Sequence, residues 1–219
     1  RVSETSAPLL RRPISFHRIS PEHKTFELLY EIIGQGTELL SRSGVGGEID
    51  VLGPLGSGFT IDPAKKLHLL VGGGMGAAPL LALAEALKAK SPYILIGGQN
   101  KKKIYGENEL RKVSSQVLIS TDDGSYGKKG LISDLLLDQL TTCPELCRGA
   151  IYACGPRAML RAVAEIAFQK KIDCQLSMEE RMACGLGTCL GCVVKTRNGY
   201  QRVCKEGPVF RSGEIIWEN

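Results

Sequence analysis

Four of the eight cysteines in this 219-residue chain, Cys184, Cys189, Cys192 and Cys204, crowd into one short stretch. The first three follow a C-x4-C-x2-C spacing, and Gly185, Gly187 and Gly191 between them let the backbone fold tightly around a bound group. Three thiolates can thus converge from one loop. Beyond Cys192, Val193-Val194-Lys195-Thr196 and Tyr200-Gln201-Arg202-Val203 flank Asn198-Gly199, which predicts a hairpin on a type I′ turn. Counting outward from that turn pairs Val194 with Val203 and returns Cys204 beside Val193, next to Cys192. The opening spacing matches that of plant-type 2Fe-2S ferredoxins, although the fourth cysteine is much closer here. A structural zinc site, which more often uses two C-x2-C pairs, and cysteines that merely pack are the competing readings. Cys143, Cys147 and Cys174 have no such arrangement and read as small buried or surface residues.

Two glycine turns could meet a phosphate. Val71-Gly72-Gly73-Gly74-Met75-Gly76-Ala77-Ala78-Pro79 follows a predicted strand and opens a predicted helix, so backbone N–H groups can approach a pyrophosphate without obstructing side chains. Glycines at Gly72, Gly74 and Gly76 would equally serve close strand-to-helix packing. Cys154-Gly155-Pro156 ends another strand of the same sheet, and both turns should face one crevice. Cys154 reads equally well as a core residue. Gly98-Gln99-Asn100-Lys101, at the end of the 93–97 strand, offers no acidic group for a ribose, so the residues leave NAD and NADP both open. Nearer the start, Arg12-Pro13-Ile14-Ser15 places a rigid turn and a permanent cation where an anionic group could be gripped. Gly34-Gln35-Gly36-Thr37 precedes a helical turn with Thr37 as its expected N-cap.

The elements that must position these groups fall into three stretches. The first sixty residues look β-rich, with a long strand expected over 24–33 and another over 48–52, as in part of a small barrel. From residue 67 short apolar strands (67–71, 93–97, 116–120, 149–153) alternate with helices, which implies a parallel sheet. Leu80, Leu83, Ala84 and Leu87 share one helical face after Pro79, as do Met159, Leu160, Val163, Ile166 and Ala167 after Pro156. From about Ser177 the chain is Gly- and Cys-rich and too irregular for another βαβ unit. The expected domains are 1–62, 63–175 and 176–219.

Composition excludes some classes. A net charge of +5, with no basic stripe interleaved with aromatics, gives no footprint for nucleic acid. The most apolar stretch, 69–84, is short for a membrane span and interrupted by glycines and a proline. With no apolar N-terminal signal, a reducing cytoplasm is the expected compartment, where crowded cysteines point to metal or redox chemistry.

Taken in order, Arg12-Pro13-Ile14-Ser15, Gly36-Thr37, the 72–79 turn, Tyr152-Ala153-Cys154-Gly155-Pro156 and the cysteine loop resemble the ferredoxin-NADP reductase superfamily. Residues 178–192 (MEERMACGLGTCLGC) and 121–127 (TDDGSYG) resemble one branch of it, the electron-transfer subunits of type B dihydroorotate dehydrogenase. The resemblance implies an FAD-binding antiparallel barrel, a doubly wound parallel-sheet module receiving NAD, and a small C-terminal 2Fe-2S module facing an FMN-containing catalytic subunit, as a heterotetramer serving pyrimidine biosynthesis. It assigns flavin contacts to Arg12, Pro13, Ile14, Ser15, Leu29, Tyr30, Glu31, Gly36 and Thr37. It assigns the nicotinamide nucleotide to Gly72, Gly74, Gly76, Cys154, Gly155 and Pro156, and the cluster to the four cysteines. The family carries more barrel sequence ahead of the Arg-Pro turn, so the first strands of domain 1–62 are expected to be missing. It also carries an arginine-containing segment where Gly98-Gln99-Asn100 stands. The alternatives are a related NAD(P)H:ferredoxin or sulfide-linked reductase subunit, and a zinc-stabilised nucleotide-binding regulator without catalytic activity.

Overall fold

The computed structural model describes residues 8–218. Its N-terminal segment holds an antiparallel hairpin of β1 (Phe16–Ser20) and β2 (Thr25–Leu28), followed by the short helix α1 (Gln35–Ser41). Phe16 and Phe26 pack edge-to-face across the hairpin with ring centroids 5.1 Å apart. The long strand expected over 24–33 is thus confined to β2. Past Leu28 the chain leaves the ladder toward the next module, where the Glu31 carboxylate accepts hydrogen bonds from Lys103 Nζ at 2.7 Å and from the Tyr105 hydroxyl. The strand expected over 48–52 does not form. Ile49, Val51 and Leu52 are exposed there, and no neighbouring strand supplies a ladder partner among the described residues. The barrel part of the fold is represented by the β1–β2 hairpin, and the first seven residues of the expected domain 1–62 lie outside the described residues.

The centre is a seven-stranded sheet built by alternation. In chain order its elements are β3 (His68–Gly73), α2 (Leu80–Ala86), β4 (Tyr93–Gly98), α3 (Glu107–Val113), β5 (Val117–Thr121), β6 (Lys128–Lys129), α4 (Ile132–Thr142), β7 (Ala150–Cys154), α5 (Arg157–Lys170) and β8 (Asp173–Ser177). A second hairpin, β9 (Val193–Thr196) and β10 (Gly199–Arg202), follows, and β11 (Val209–Arg211) then joins the large sheet. The order is β11-β8-β7-β3-β4-β5-β6, parallel throughout except for β11, which runs antiparallel to β8. The chain winds outward from β3 through β4 and β5, then returns to the other side of β3 as β7. The switch in winding direction therefore lies between β3 and β7.

Alternation along these strands explains why both faces are covered. Leu69, Val71, Leu95, Ile151, Ala153 and Leu176 pack on one face beneath α4 and α5. Leu70, Ile94, Ile96 and Tyr152 pack on the other with residues of α2 and α3. Strands buried on both sides read as continuous apolar runs, which is why β3, β4, β5 and β7 stood out in the sequence. Each such fully buried side chain contributes roughly 1.5–3 kcal/mol. β8 was not anticipated, because Asp173 and Gln175 alternate with buried Cys174 and Leu176 and break the run. No helix among the described residues is long and apolar enough to cross a membrane.

Candidate cofactor sites

The two glycine turns meet at the winding switch. A Cβ at Gly76 would stand 2.2 Å from the Cys154 carbonyl oxygen and 2.6 Å from Gly155 Cα, so the turn after β3 lies directly on the turn after β7. A Cβ at Gly72 would crowd Ala77 Cα and Leu80 Cδ1 at 2.9 Å. Gly72 and Gly76 therefore serve close packing. Gly74 differs: it has φ +54° and nothing near its Cβ position, so its backbone faces open space. A 3-10 turn over Gly74–Ala77 precedes α2, and Pro79 and Pro156 cap α2 and α5. Burial pushes the Cys154 thiol up to about 11, with Ser177, its register partner on β8, hydrogen-bonded to it. That thiol stays neutral, so Cys154 offers shape rather than a nucleophile.

At the N-terminal segment, a Cβ at Gly36 would fall 2.5 Å from Arg12 Nε and 2.7 Å from Arg12 Cζ. The guanidinium thus lies against the first turn of α1, which brings Arg12 and Gly36 together. Thr37 is not the N-cap. Gly34 takes that place with extended backbone, and the Thr37 hydroxyl reaches back from within the helix to the N–H groups of Ile33 at 3.0 Å and Gly34 at 3.3 Å. Pro13 and Ser15 are exposed, and Ile14, Leu29 and Tyr30 are half-buried. Glu31 carries a carboxyl held below its usual range by the hydrogen bonds from Lys103 and then Tyr105. His17, on β1, bonds through Nδ1 to the Ala78 carbonyl of the glycine turn after β3 at 2.7 Å, and Arg18 bonds Glu85 of α2 at 2.8 Å. These ties between hairpin and nucleotide module carry no sequence signature, because the partners lie more than sixty residues apart.

The cysteine loop leaves the sheet after β8. Gly185 and Gly187 take φ +70° and +78°, and exposed Leu190 takes +54°. Cys184 Sγ accepts the Leu186 N–H at 3.4 Å. The N–H of Cys189, then that of Leu186, together with the Cys189 side chain and the Thr188 N–H, draw the Cys184 thiol down to about 6. Cys192 and Cys204 are buried and hydrogen-bonded to each other, with burial and that contact raising Cys204.

The hairpin between them differs from the expected one. Thr196 pairs with Gly199, Gln201 with Val194 and Arg202 with Val193, so the turn is centred on Arg197 and Asn198. Asn198 does not take the positive φ of a type I′ turn. Gly199 does, at +93°, as in a bulged turn, while the Thr196 hydroxyl donates to the Gly199 carbonyl at 2.8 Å. Cys204 still returns to Cys192, because the Val203 N–H donates to the Cys192 carbonyl at 2.8 Å.

The four thiols therefore stand as two contacting pairs, Cys184 with Cys189 and Cys192 with Cys204, close enough for Cys204 to feel Cys184. Among the described residues no three His, Cys, Asp or Glu side chains are arranged to hold a single metal ion. The donor set nonetheless fits an iron-sulfur cluster. All four thiols are free of disulfides, and one already accepts the kind of backbone N–H bonds that a cluster's sulfur ligands take. The residue that braces the two cysteine arms, Arg202, was missed in the sequence; its one signal is Glu206, four positions on and opposite in charge.

Comparison with known proteins agrees with this geometry. Residues 179–216 match the iron-sulfur cluster binding domain of dihydroorotate dehydrogenase B, and residues 70–165 match the oxidoreductase NAD-binding domain. The dihydroorotate dehydrogenase B (NAD(+)) electron transfer subunit of Geobacillus sp. strain WCH70 is 40% identical over 99% of this chain and 84% of its own length. That of Desulforamulus reducens is 37% identical over 100% and 84%. A solved NADH-dependent reduced ferredoxin-NADP oxidoreductase, studied for flavin-based electron bifurcation, superposes with a TM-score of 0.80 at 30% identity, covering 95% of this chain and 75% of that one.

Fold and site together define an oxidoreductase of the ferredoxin-NADP reductase type with an appended iron-sulfur module. The chain belongs to the family of dihydroorotate dehydrogenase B (NAD(+)) electron transfer subunits. Iron-sulfur, nicotinamide-nucleotide and flavin cofactors go with that membership, the first two on the matched domains and the third on the reductase fold. As a member of a family of subunits, it works beside a partner chain.

Proposed function

We propose that this chain carries electrons between an FMN-containing dihydroorotate dehydrogenase catalytic subunit and NAD⁺ in cytoplasmic pyrimidine synthesis, as part of a heterotetramer. When bound, the nicotinamide exchanges electrons as hydride, the 2Fe-2S cluster passes them singly, and FAD does both. The observation that carries this reading is continuity. Cys154, at the glycine crevice, pairs with Ser177 at the end of β8, and the chain leaving Ser177 opens the cysteine loop at Cys184. That connection would carry the proposed nicotinamide site and cluster site on neighbouring strand ends.

The residues divide the work accordingly. Gly74 offers open backbone to the nucleotide and Pro156 stands exposed beside it, while Gly72, Gly76, Cys154 and Gly155 fix the crevice that receives it. Arg12, stacked on Gly36, offers a permanent cation to an anionic flavin, and we assign Pro13, Ile14, Ser15, Leu29, Tyr30 and Thr37 to the same flavin site. Glu31 orients the segment through its carboxylate, which accepts hydrogen bonds from Lys103 and Tyr105. Cys184 and Cys189 hold the exposed side of the cluster, toward the partner, and buried Cys192 and Cys204 hold the side against the core.

The test is Cys189→Ser in the assembled complex, followed by visible spectra under anaerobic conditions. Dihydroorotate should no longer bleach the FAD bands, whereas NADH still does. Loss of both together would overturn the assigned order.

A further inference from the structure

We propose that Arg202 is the positioning residue that holds the Cys204 arm against the three-cysteine loop, and that its permanent charge sets the reduction potential of the cluster. This rests on the iron-sulfur reading above.

Arg202 ends β10, two residues before Cys204. Its carbonyl accepts the N–H groups of Lys205 at 3.2 Å, Glu206 at 2.9 Å and Gly207 at 3.1 Å, closing a tight turn that has Cys204 inside it. Its own N–H donates to Glu206 Oε2 at 2.7 Å and its Nε to the same oxygen at 2.9 Å, while Nη2 meets Glu206 Oε1. The guanidinium is thereby fixed in plane by a fork that lysine cannot reproduce. The remaining corner, Nη1, donates to the Gly187 carbonyl at 2.7 Å, in the middle of the loop that carries Cys184, Cys189 and Cys192. Gly187 is buried, and a Cβ there would come 2.7 Å from Lys205 Cδ and 3.4 Å from Arg202 Nη1. Arg202 thus bridges loop and arm at Gly187, beside the Val203 to Cys192 hydrogen bond that also joins them.

Charge follows from the same placement. Arg202 lies two residues from Cys204 and pairs across the hairpin with Val193, next to Cys192, and the Arg202 and Glu206 side chains are each less than one-third exposed, so solvent screens the field only in part. Reduction adds negative charge to a cluster. A neighbouring cation favours the reduced form, and an unpaired Glu206 carboxylate disfavours it.

The two roles separate experimentally. Arg202→Gln, Glu206→Gln and Arg202→Lys are made in the full chain, purified anaerobically with its partner subunit, and assayed for iron per chain and for midpoint potential by EPR-monitored titration. Arg202→Gln removes the cation and leaves Glu206 unpaired, so the equilibrium for cluster reduction falls roughly tenfold, the scale of one partly screened charge. Glu206→Gln leaves the cation uncompensated and shifts the potential the opposite way. A purely structural role for the pair would not give opposite signs. Arg202→Lys keeps the charge and loses the fork, so iron content falls while the potential of the remaining clusters stays near the starting value. Unchanged iron and potential in all three variants, or shifts of one sign in both glutamine variants, would overturn the role of Arg202 alone. Zinc in place of iron in the unsubstituted chain would overturn the iron-sulfur reading and this role with it.

Discussion

The glycine crevice and the cysteine loop sit at neighbouring strand ends, yet they are held in opposite ways. At the crevice, backbone lies on backbone: Gly76 against the Cys154 carbonyl, and Gly155 so close to β3 that its Cβ would fall 3.0 Å from the Gly73 nitrogen. At the cysteine loop, positively turned glycines and an exposed leucine are held by a handful of polar ties and by two thiol pairs. The first site is finished by packing, with no slack to absorb a side chain. The second holds Cys192 and Cys204 in the core and leaves Cys184 and Cys189 on a glycine-turned loop, so that a bound cluster would join the two pairs.

The sharpest way to break this contrast is Gly76→Ala. The new methyl meets a backbone oxygen, which cannot yield as a flexible side chain would, and the expected loss is about 3 kcal/mol in urea unfolding. A loss under about 0.5 kcal/mol would show that the crevice has slack after all. Gly74→Ala, in the same turn, is expected to cost only about 1 kcal/mol, because the space is open and the penalty is that of positive φ alone. Nucleotide affinity should fall more in Gly74→Ala than its stability does, as titration with NADH would report.

A smaller effect comes from the far end of β3. His68 is buried there, its Nε2 hydrogen-bonded to the Lys65 carbonyl at 3.1 Å and its Nδ1 facing the Tyr152 hydroxyl at 3.3 Å. Burial, and then the charge of Lys90, lower its pKa from 6.5. A neutral histidine preferred by the folded state contributes stability above the unfolded value, and that stability is lost as pH falls toward the lowered folded value. Unfolding free energy should therefore decline below about pH 6.5 more steeply in the parent than in His68→Gln. Equal slopes in the two proteins would exclude His68 as the source.

What the sequence made legible follows from the same contrast. The apolar runs of β3, β4, β5 and β7 and the glycine turns beyond them are local signals, since a strand buried on both faces must be apolar throughout. The four cysteines were equally plain. The 24–33 strand was overextended because Ile32 and Ile33 look like strand residues, yet both are exposed beyond the hairpin. The Asn198-Gly199 pair suggested a type I′ turn, whereas Gly199 is the bulge position, a choice tied to the Arg197 N–H bonding the Glu214 carbonyl in a later segment. Glu31 was legible as part of a flavin segment, but its Lys103 and Tyr105 partners are tertiary contacts that no local pattern encodes.

Val209 lies directly across from Ser177 in the antiparallel pairing of β11 with β8, and Met178 N–H bonds the Pro208 carbonyl at 2.8 Å. Residues 178–208 thus depart and return through a single rung of the ladder, and Cys192, Val194, Val203 and Cys204 within them pack into the same apolar core as β3 and β7. Whatever the segment carries therefore keeps one fixed address beside the nucleotide crevice, set by that rung and by the core it shares with the strands that bear it.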